Sequence, residues 1–187
     1  MYSMVEWSPS LDLDSFYNKA KQRGFENNSN QEKMLSCFNN ERERKAWILY
    51  KDQEPIGSVV AHSFDAIGEK NSFRILARCC VVQGTRQSKG LMTAKKAIEQ
   101  HQNITDQFFI PTCIQWAGKD ANLYATSNSQ HVGSQQLVNR IYFPILENKG
   151  IVKHCGKIYY RYTEQNIWKF SAKNFYESLK QYPRWTN

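Results

Sequence analysis

Short apolar runs and amphipathic stretches alternate along this chain, and their order predicts a mixed sheet covered by helices. Residues 2–7 read as a first strand, which Pro9 ends. Ser10 or Asp12 can cap the following helix, where Leu13, Phe16, Tyr17 and Ala20 fall on one face and Gly24 marks the stop. Ser29 with Glu32 resembles a capping box, opening a second short helix with Met34, Leu35 and Phe38. Residues 46–50 (AWILY) and 56–64 (IGSVVAHSF) are apolar runs separated by the turn-like Lys51-Asp52-Gln53-Glu54, which predicts an antiparallel hairpin.

The next stretch, RILARCCVVQGTRQSKGLMTAKKAIEQ from Arg74 to Gln100, is the most informative. Ile75, Leu76, Cys79, Cys80, Val81 and Val82 predict a strand, residues 83–89 a polar loop, and Leu91, Ala94, Ala97 and Ile98 a helix from about Gly90. A strand, a glycine-containing loop and a helix start gather unpaired backbone N–H groups and the positive end of a helix dipole. Arg86, Lys89, Lys95 and Lys96 add full charges, so the junction reads as an anion site, with phosphate as the favoured ligand. A plain strand–helix connection without a ligand is the competing account.

Beyond His101 the pattern predicts a short or kinked helix over 105–117, interrupted by Pro111, and a strand over 122–127. A helix over 135–149 follows, with Val138, Ile141, Tyr142 and Ile145 on one face, a kink at Pro144 and a stop at Gly150. Strands at 157–163 and 167–170 are expected to turn through Glu164-Gln165-Asn166, and a last amphipathic helix spans 172–182 before Pro183. Mixed strands with helices on both faces argue for an α/β or α+β sandwich.

A chain of 187 residues with 41% apolar content is one domain of ordinary size, burying roughly 70% of its unfolded surface. Aromatics reach 13%, enough to fill the core and line a cleft. The net charge of +8 suits a polyanionic cofactor, a nucleic acid or simple solubility. No block of five like charges occurs, which argues against a basic nucleic-acid-binding arm. The five cysteines form neither a CxxC motif nor an evident disulfide framework, and the four histidines lack metal-ligand spacing, so no metal is expected. Reduced thiols, no basic-then-apolar leader and no apolar run near the roughly 20 residues that span a bilayer predict a cytoplasmic protein without a membrane partner.

Gln87-Ser88-Lys89-Gly90-Leu91-Met92, five residues beyond Val82, resembles the pyrophosphate loop Q/R-x-x-G-x-G/A of the GNAT acyl-CoA N-acyltransferases, with Met92 where glycine or alanine is usual. Pro55-Ile56-Gly57 on the preceding hairpin is similar to the family's habit. Residues 139–151, NRIYFPILENKGI, resemble its N-x-x-A-x-x-L-Y-E-K-x-G-F helix through Asn139, Glu147 and Gly150, with Leu146 at the Tyr position. The resemblance implies a single domain over 1–187 with a mostly antiparallel central sheet, an insert at 102–120 and an added C-terminal helix at 172–183. It implies that coenzyme A or acetyl-CoA binds Gln87, Ser88, Lys89, Gly90, Leu91 and Met92 by its pyrophosphate, and the main chain of Cys80 and Val82 by its pantetheine arm. Thr93 at the helix start could donate to a phosphate, and Asn139 belongs to the same cofactor set. The acceptor is expected to be an amine on a small molecule or peptide.

Acyl transfer to an amine needs a base, an oxyanion donor and an acid for the leaving thiolate. Tyr142, one turn before the family's Tyr position, could supply the acid, or pack in the core. Tyr124 and Ser127 on the next strand could hold a water relay, and Arg78 could face a substrate carboxylate or solvent. An acyl-CoA-binding module without catalysis is the alternative the Leu146 departure raises, and a basic nucleic-acid-binding domain is the alternative raised by the charge of +8 and the many aromatics. The aromatic end of the chain (Phe175, Tyr176, Trp185) could cover a partner copy in a homodimer as readily as the core.

Overall fold

The computed structural model describes residues 1–36, 40–82, 102–130 and 135–181. Seven strands form one sheet: β1 (Tyr2–Glu6), β2 (Arg44–Lys51), β3 (Glu54–Ser63), β4 (Ser72–Val81), β5 (Asn122–Asn128), β6 (Val152–Tyr160) and β7 (Thr163–Phe170). Their order is β1-β2-β3-β4-β5-β7-β6. The β1/β2, β2/β3, β5/β7 and β6/β7 ladders are antiparallel and β4/β5 is parallel. Bonds from Val82 N–H to the Ile56 carbonyl (2.7 Å) and from Phe64 N–H to the Ser72 carbonyl (2.8 Å) run β4 antiparallel to β3. The sheet is therefore mostly antiparallel, as the sequence resemblance implies. The chain divides into two compact units, Met1–Ser63 with Ile75–Cys113, and Phe64–Arg74 with Ile114–Asn187.

In the first unit, α1 (Asp14–Gln22) and α2 (Gln31–Leu35) lie on one face of the sheet. Leu13, Phe16, Ala20 and Met34 pack there against Ile48, Cys80 and Val82. The caps differ from expectation. Leu13 occupies the N-cap of α1 without a side-chain bond, while Asp12 Oδ1 accepts from the Asp14 N–H at 3.3 Å. At α2 it is Asn30, not Ser29, whose Oδ1 accepts the Lys33 N–H at 2.8 Å. Ser29 instead donates to the Glu26 carbonyl at 2.8 Å, closing the turn before the helix. The other face carries a π-helical turn, Thr105–Phe109, leading into α3 (Ile110–Ala117). Gly57 makes this approach feasible: a Cβ there would sit 2.9 Å from the Cys80 carbonyl oxygen and 3.0 Å from Phe109 Cζ.

In the second unit, β5 and β7 carry Leu123, Ala125 and Ser127 opposite Phe170, Trp168 and Asn166 on one face. Against that face pack the segment α4 (Gln135–Leu137), a π turn (Val138–Tyr142) and α5 (Phe143–Asn148). Phe143 stacks on Trp168 at 4.7 Å, and Phe175 of α6 (Ala172–Gln181) meets Phe170 at 5.7 Å. The opposite face holds Phe64, Tyr124 and Ile167. The β6/β7 hairpin turns at Arg161-Tyr162, both left-handed, rather than at Glu164-Gln165-Asn166, which lie inside β7.

Both interior prolines follow a π turn by two residues. Proline lacks an N–H for the carbonyl four residues back and its ring pushes that carbonyl aside. For Pro111 and Pro144 those carbonyls belong to Gln107 and Arg140, inside the two π turns. The wider turn absorbs the misfit within a continuing helix.

Candidate functional site

Strand β4 departs from regular geometry at Leu76 (φ 58°) and Arg78 (φ 51°), both left-handed. Such angles are rare for side chains of this size and cost free energy unless the surroundings hold them. Here Asn28 and Ser58 do so. Asn28 Nδ2 donates to the Arg78 carbonyl at 3.0 Å and to Ser58 Oγ at 2.9 Å, and both side chains are buried. Ser58 Oγ lies 3.4 Å from the same carbonyl. No sequence signal marks this bulge, because neither leucine nor arginine favours φ > 0, and Asn28 reads only as a turn residue.

Beyond the bulge, Cys80 is fully buried against α1 and α2, and the Val82 N–H is bonded to Ile56. Strand alternation therefore turns the main-chain groups of Val81 to the edge away from β3. The parallel ladder on that edge consists of Ser72↔Asn122, Phe73↔Leu123 and Arg74↔Tyr124, and it ends there. Burial pushes the Cys79 and Cys113 thiols up to about 12 and the Cys80 thiol up as well, so all three are neutral core thiols rather than nucleophiles. Cys79 Sγ lies 3.9 Å from Thr105 Oγ1 of the first π turn.

The second unit contains a buried polar network around Asn139. Its Oδ1 accepts from Ser127 Oγ and from Asn166 Nδ2 (3.3 Å), and its Nδ2 donates to the Asn128 carbonyl at 2.6 Å. Trp168 Nε1 donates to Ser127 Oγ at 3.0 Å, and His154 Nε2 lies 3.2 Å from Asn166 Oδ1. Asn139 thus ties the π turn to the end of β5. Tyr142, in the same turn, is buried with its ring 5.4 Å from Phe143. The rest of the sequence motif closes the helix. Gly150 is left-handed (φ 68°), its N–H donates to the Glu147 carbonyl at 2.8 Å, and the Ile151 N–H donates to the Leu146 carbonyl at 2.9 Å. This is a Schellman stop, which explains glycine followed by an apolar residue. Glu147 Oε1 also accepts the His154 N–H at 2.9 Å.

Tyr124 and Ser127 are not brought together. They lie three apart on β5 and face opposite sides of the sheet. Tyr124 packs on Phe64, and its hydroxyl donates to Glu69 Oε2 at 2.5 Å. Burial, with Glu69 beside it, raises the Tyr124 pKa, and the Tyr124 hydroxyl in turn lowers that of Glu69. Lys169 lies 3.4 Å from the same carboxylate. Gln87, Ser88, Lys89, Gly90, Leu91, Met92 and Thr93 fall outside the described residues, as does the expected helix start. No group of three histidine, cysteine or acidic side chains suited to a metal occurs among the described residues. None of their helices is long and apolar enough to cross a membrane.

No known family profile and no curated protein matches the sequence. Solved structures do match the fold. A probable acetyltransferase from Staphylococcus epidermidis ATCC 12228 covers 92% of this chain and 99% of its own, at 14% identity and a TM-score of 0.53. Aminoglycoside acetyltransferase AAC(6')-Ib, in complex with ribostamycin and coenzyme A, covers 95% of this chain and 97% of its own, at 12% identity and a TM-score of 0.53. An uncharacterized protein from Bacillus halodurans covers 97% and 89%, at 12% identity and a TM-score of 0.58. The chain shares its fold with these acetyltransferases, a mostly antiparallel mixed sheet with helices, as the sequence resemblance implies.

Proposed function

We propose that this protein is an acyl-CoA-dependent N-acyltransferase, with acetyl-CoA as donor and an amine of a small molecule or peptide as acceptor. The observation that carries the reading is β4. It is bulged at Leu76 and Arg78, paired with β5 over three residues only, and presents Val81 on the edge away from β3. Extended main chain with that edge suits the amide groups of a pantetheine arm. Cys80 and Val82 flank it, but the Val82 N–H is already bonded to Ile56. Gln87 to Thr93 would then take the pyrophosphate through backbone N–H groups and the charge of Lys89. Asn139, which the sequence resemblance adds to the cofactor set, holds the π turn to β5 within the second unit. The acetyltransferases of the same fold, one of them solved with coenzyme A and ribostamycin, support this choice of cofactor and of an amine acceptor.

In the reaction the neutral amine nitrogen attacks the thioester carbonyl carbon, the C–N bond forms, and the C–S bond breaks. The nitrogen gives up a proton and the departing thiolate gains one, leaving an amide and free coenzyme A. Tyr142 is the proposed proton donor to the thiolate. The Tyr124 proton is directed at Glu69, which leaves that hydroxyl poorly placed to serve. The free thiols of Cys80, Cys113 and Cys155 suit a reducing, cytoplasmic setting.

Calorimetry with coenzyme A and a thiol-release assay with acetyl-CoA over a panel of amines test the reading. Saturable binding with acceptor-dependent release is expected, and Tyr142→Phe should lower kcat about 10²-fold or more. Absence of heat and of any thermal shift at millimolar coenzyme A would sink the proposal. Binding without release would reduce the protein to an acyl-CoA-binding module, the reading suggested by the fully buried Leu146 at the family's Tyr position.

A further inference from the structure

Arg78 combines a pinned main chain with an unfilled side chain. Its carbonyl is held by Asn28 and Ser58, as described, and its residue is half-buried. The guanidinium offers five N–H donors. Among the described residues it makes one side-chain contact, a long 3.4 Å one from Nη2 to Ser36 Oγ. Its Nε is buried and meets no acceptor among the described residues. No carboxylate pairs with it among the described residues.

These facts do not fit an arginine that merely snorkels to solvent, because Nε is shielded from water. Arginine cannot relieve the cost by losing its proton. A buried donor without an acceptor is costly, and so is a left-handed arginine. Bulges re-aim side chains and gather beside active sites. Two independent departures at one residue, in backbone and in side chain, therefore point to a ligand from outside the chain. A planar fork with Nε and Nη donors matches a carboxylate, which it can grip through two parallel bonds. Arg78 also lies three residues along β4 from Val81, about 10 Å at strand rise. That is a suitable distance for the far end of an acceptor whose amine meets a thioester near Val81.

We propose that Arg78 binds a carboxylate of the acceptor, so that the substrates are amines that also carry a carboxylate, such as amino acids or acidic peptides. Assigning the carboxylate to the acceptor rests on the N-acyltransferase reading; the anion site itself does not.

The test uses the full chain, labelled with ¹⁵N-arginine, and follows the Nε–H resonances by NMR during titration with succinate. Arg78→Lys identifies the Arg78 signal by its loss. Should that variant fail to fold, Ser36→Ala, which removes the one side-chain contact, identifies it by its shift. A saturable change at millimolar succinate is expected, with none from succinamide or from sodium chloride at equal ionic strength. Arg78→Lys should bind succinate about tenfold more weakly by calorimetry, since the ammonium keeps the charge but loses the fork. No saturable shift overturns the proposal. Tighter binding of inorganic phosphate than of succinate also overturns it, making this a phosphate site. Coenzyme A is titrated in parallel into the wild type and Arg78→Lys. If coenzyme A fails to bind while succinate shifts Nε, the acyltransferase reading falls and the carboxylate site stands; the converse result rejects Arg78 alone.

Discussion

At the scale of single residues, Asn139 shows how a motif can mark a side chain without showing what holds it. Its place in the N-x-x-A-like motif suggests a cofactor contact. In the structure its Oδ1 takes two donors and its Nδ2 reaches the Asn128 carbonyl, all out of water. Replacing it with leucine keeps the branched heavy-atom shape but strands the Asn128 carbonyl and the Asn166 amide. Asn139→Leu is expected to destabilise the protein by about 2–3 kcal/mol, the cost of buried groups left unpaired. Urea unfolding followed by far-UV circular dichroism measures it, and a loss below about 0.5 kcal/mol would refute the network's role. Arg78 is the opposite case. The sequence leaves its direction open between substrate and solvent, and it carries no sign of the left-handed backbone or the buried Nε on which the carboxylate proposal rests.

At the scale of elements, the hairpins show where pattern reading holds and where it fails. The β2/β3 hairpin is legible because Asp52 and Gln53 break two apolar runs, and both adopt the left-handed angles of a two-residue turn (φ 49° and 71°). The β6/β7 turn uses Arg161 and Tyr162 at φ 50° and 69°, residue types that carry no turn signal. The polar Glu164-Gln165-Asn166 attracts the assignment instead, yet Asn166 is turned inward and bonded to Asn139. Tyr162 is 90% exposed, so its left-handed angle is relieved by nothing around it. Tyr162→Gly should therefore stabilise the fold by about 1 kcal/mol, less the entropy glycine adds to the unfolded chain. A raised urea midpoint with an unchanged m-value checks this. Pro111 and Pro144 are read correctly as helix defects, but the form of the defect, a π turn rather than a break, is not written in the local sequence.

At the scale of the whole molecule, the buried thiols report on the integrity of the first unit. Cys79, Cys80 and Cys113 are held neutral by burial, whereas Cys155 is exposed on β6. Iodoacetamide at pH 8, read by peptide mass mapping, should label Cys155 in the folded protein and leave the other three until denaturant is added. Equal labelling of Cys80 and Cys155 in native buffer would contradict the packing described. Protection of the three thiols should rise and fall together, since all lie in Met1–Ser63 with Ile75–Cys113.

Taken by itself, the sequence determined the order of strands and helices among the described residues, the mixed sheet and the resemblance to the GNAT acyltransferases, because these rest on local periodicity and on short motifs. It determined most of the core as well: Phe16, Ile48, Ile56, Ile75 and Leu123 are apolar positions in phase with their elements, and all are buried. Only the tertiary structure decided the bulge at Leu76 and Arg78, the Asn28–Ser58 clamp beneath it and the opposed faces of Tyr124 and Ser127. The physical reason is range. Propensity acts over a few residues, whereas a left-handed arginine is held by partners 20 and 50 positions away in the chain.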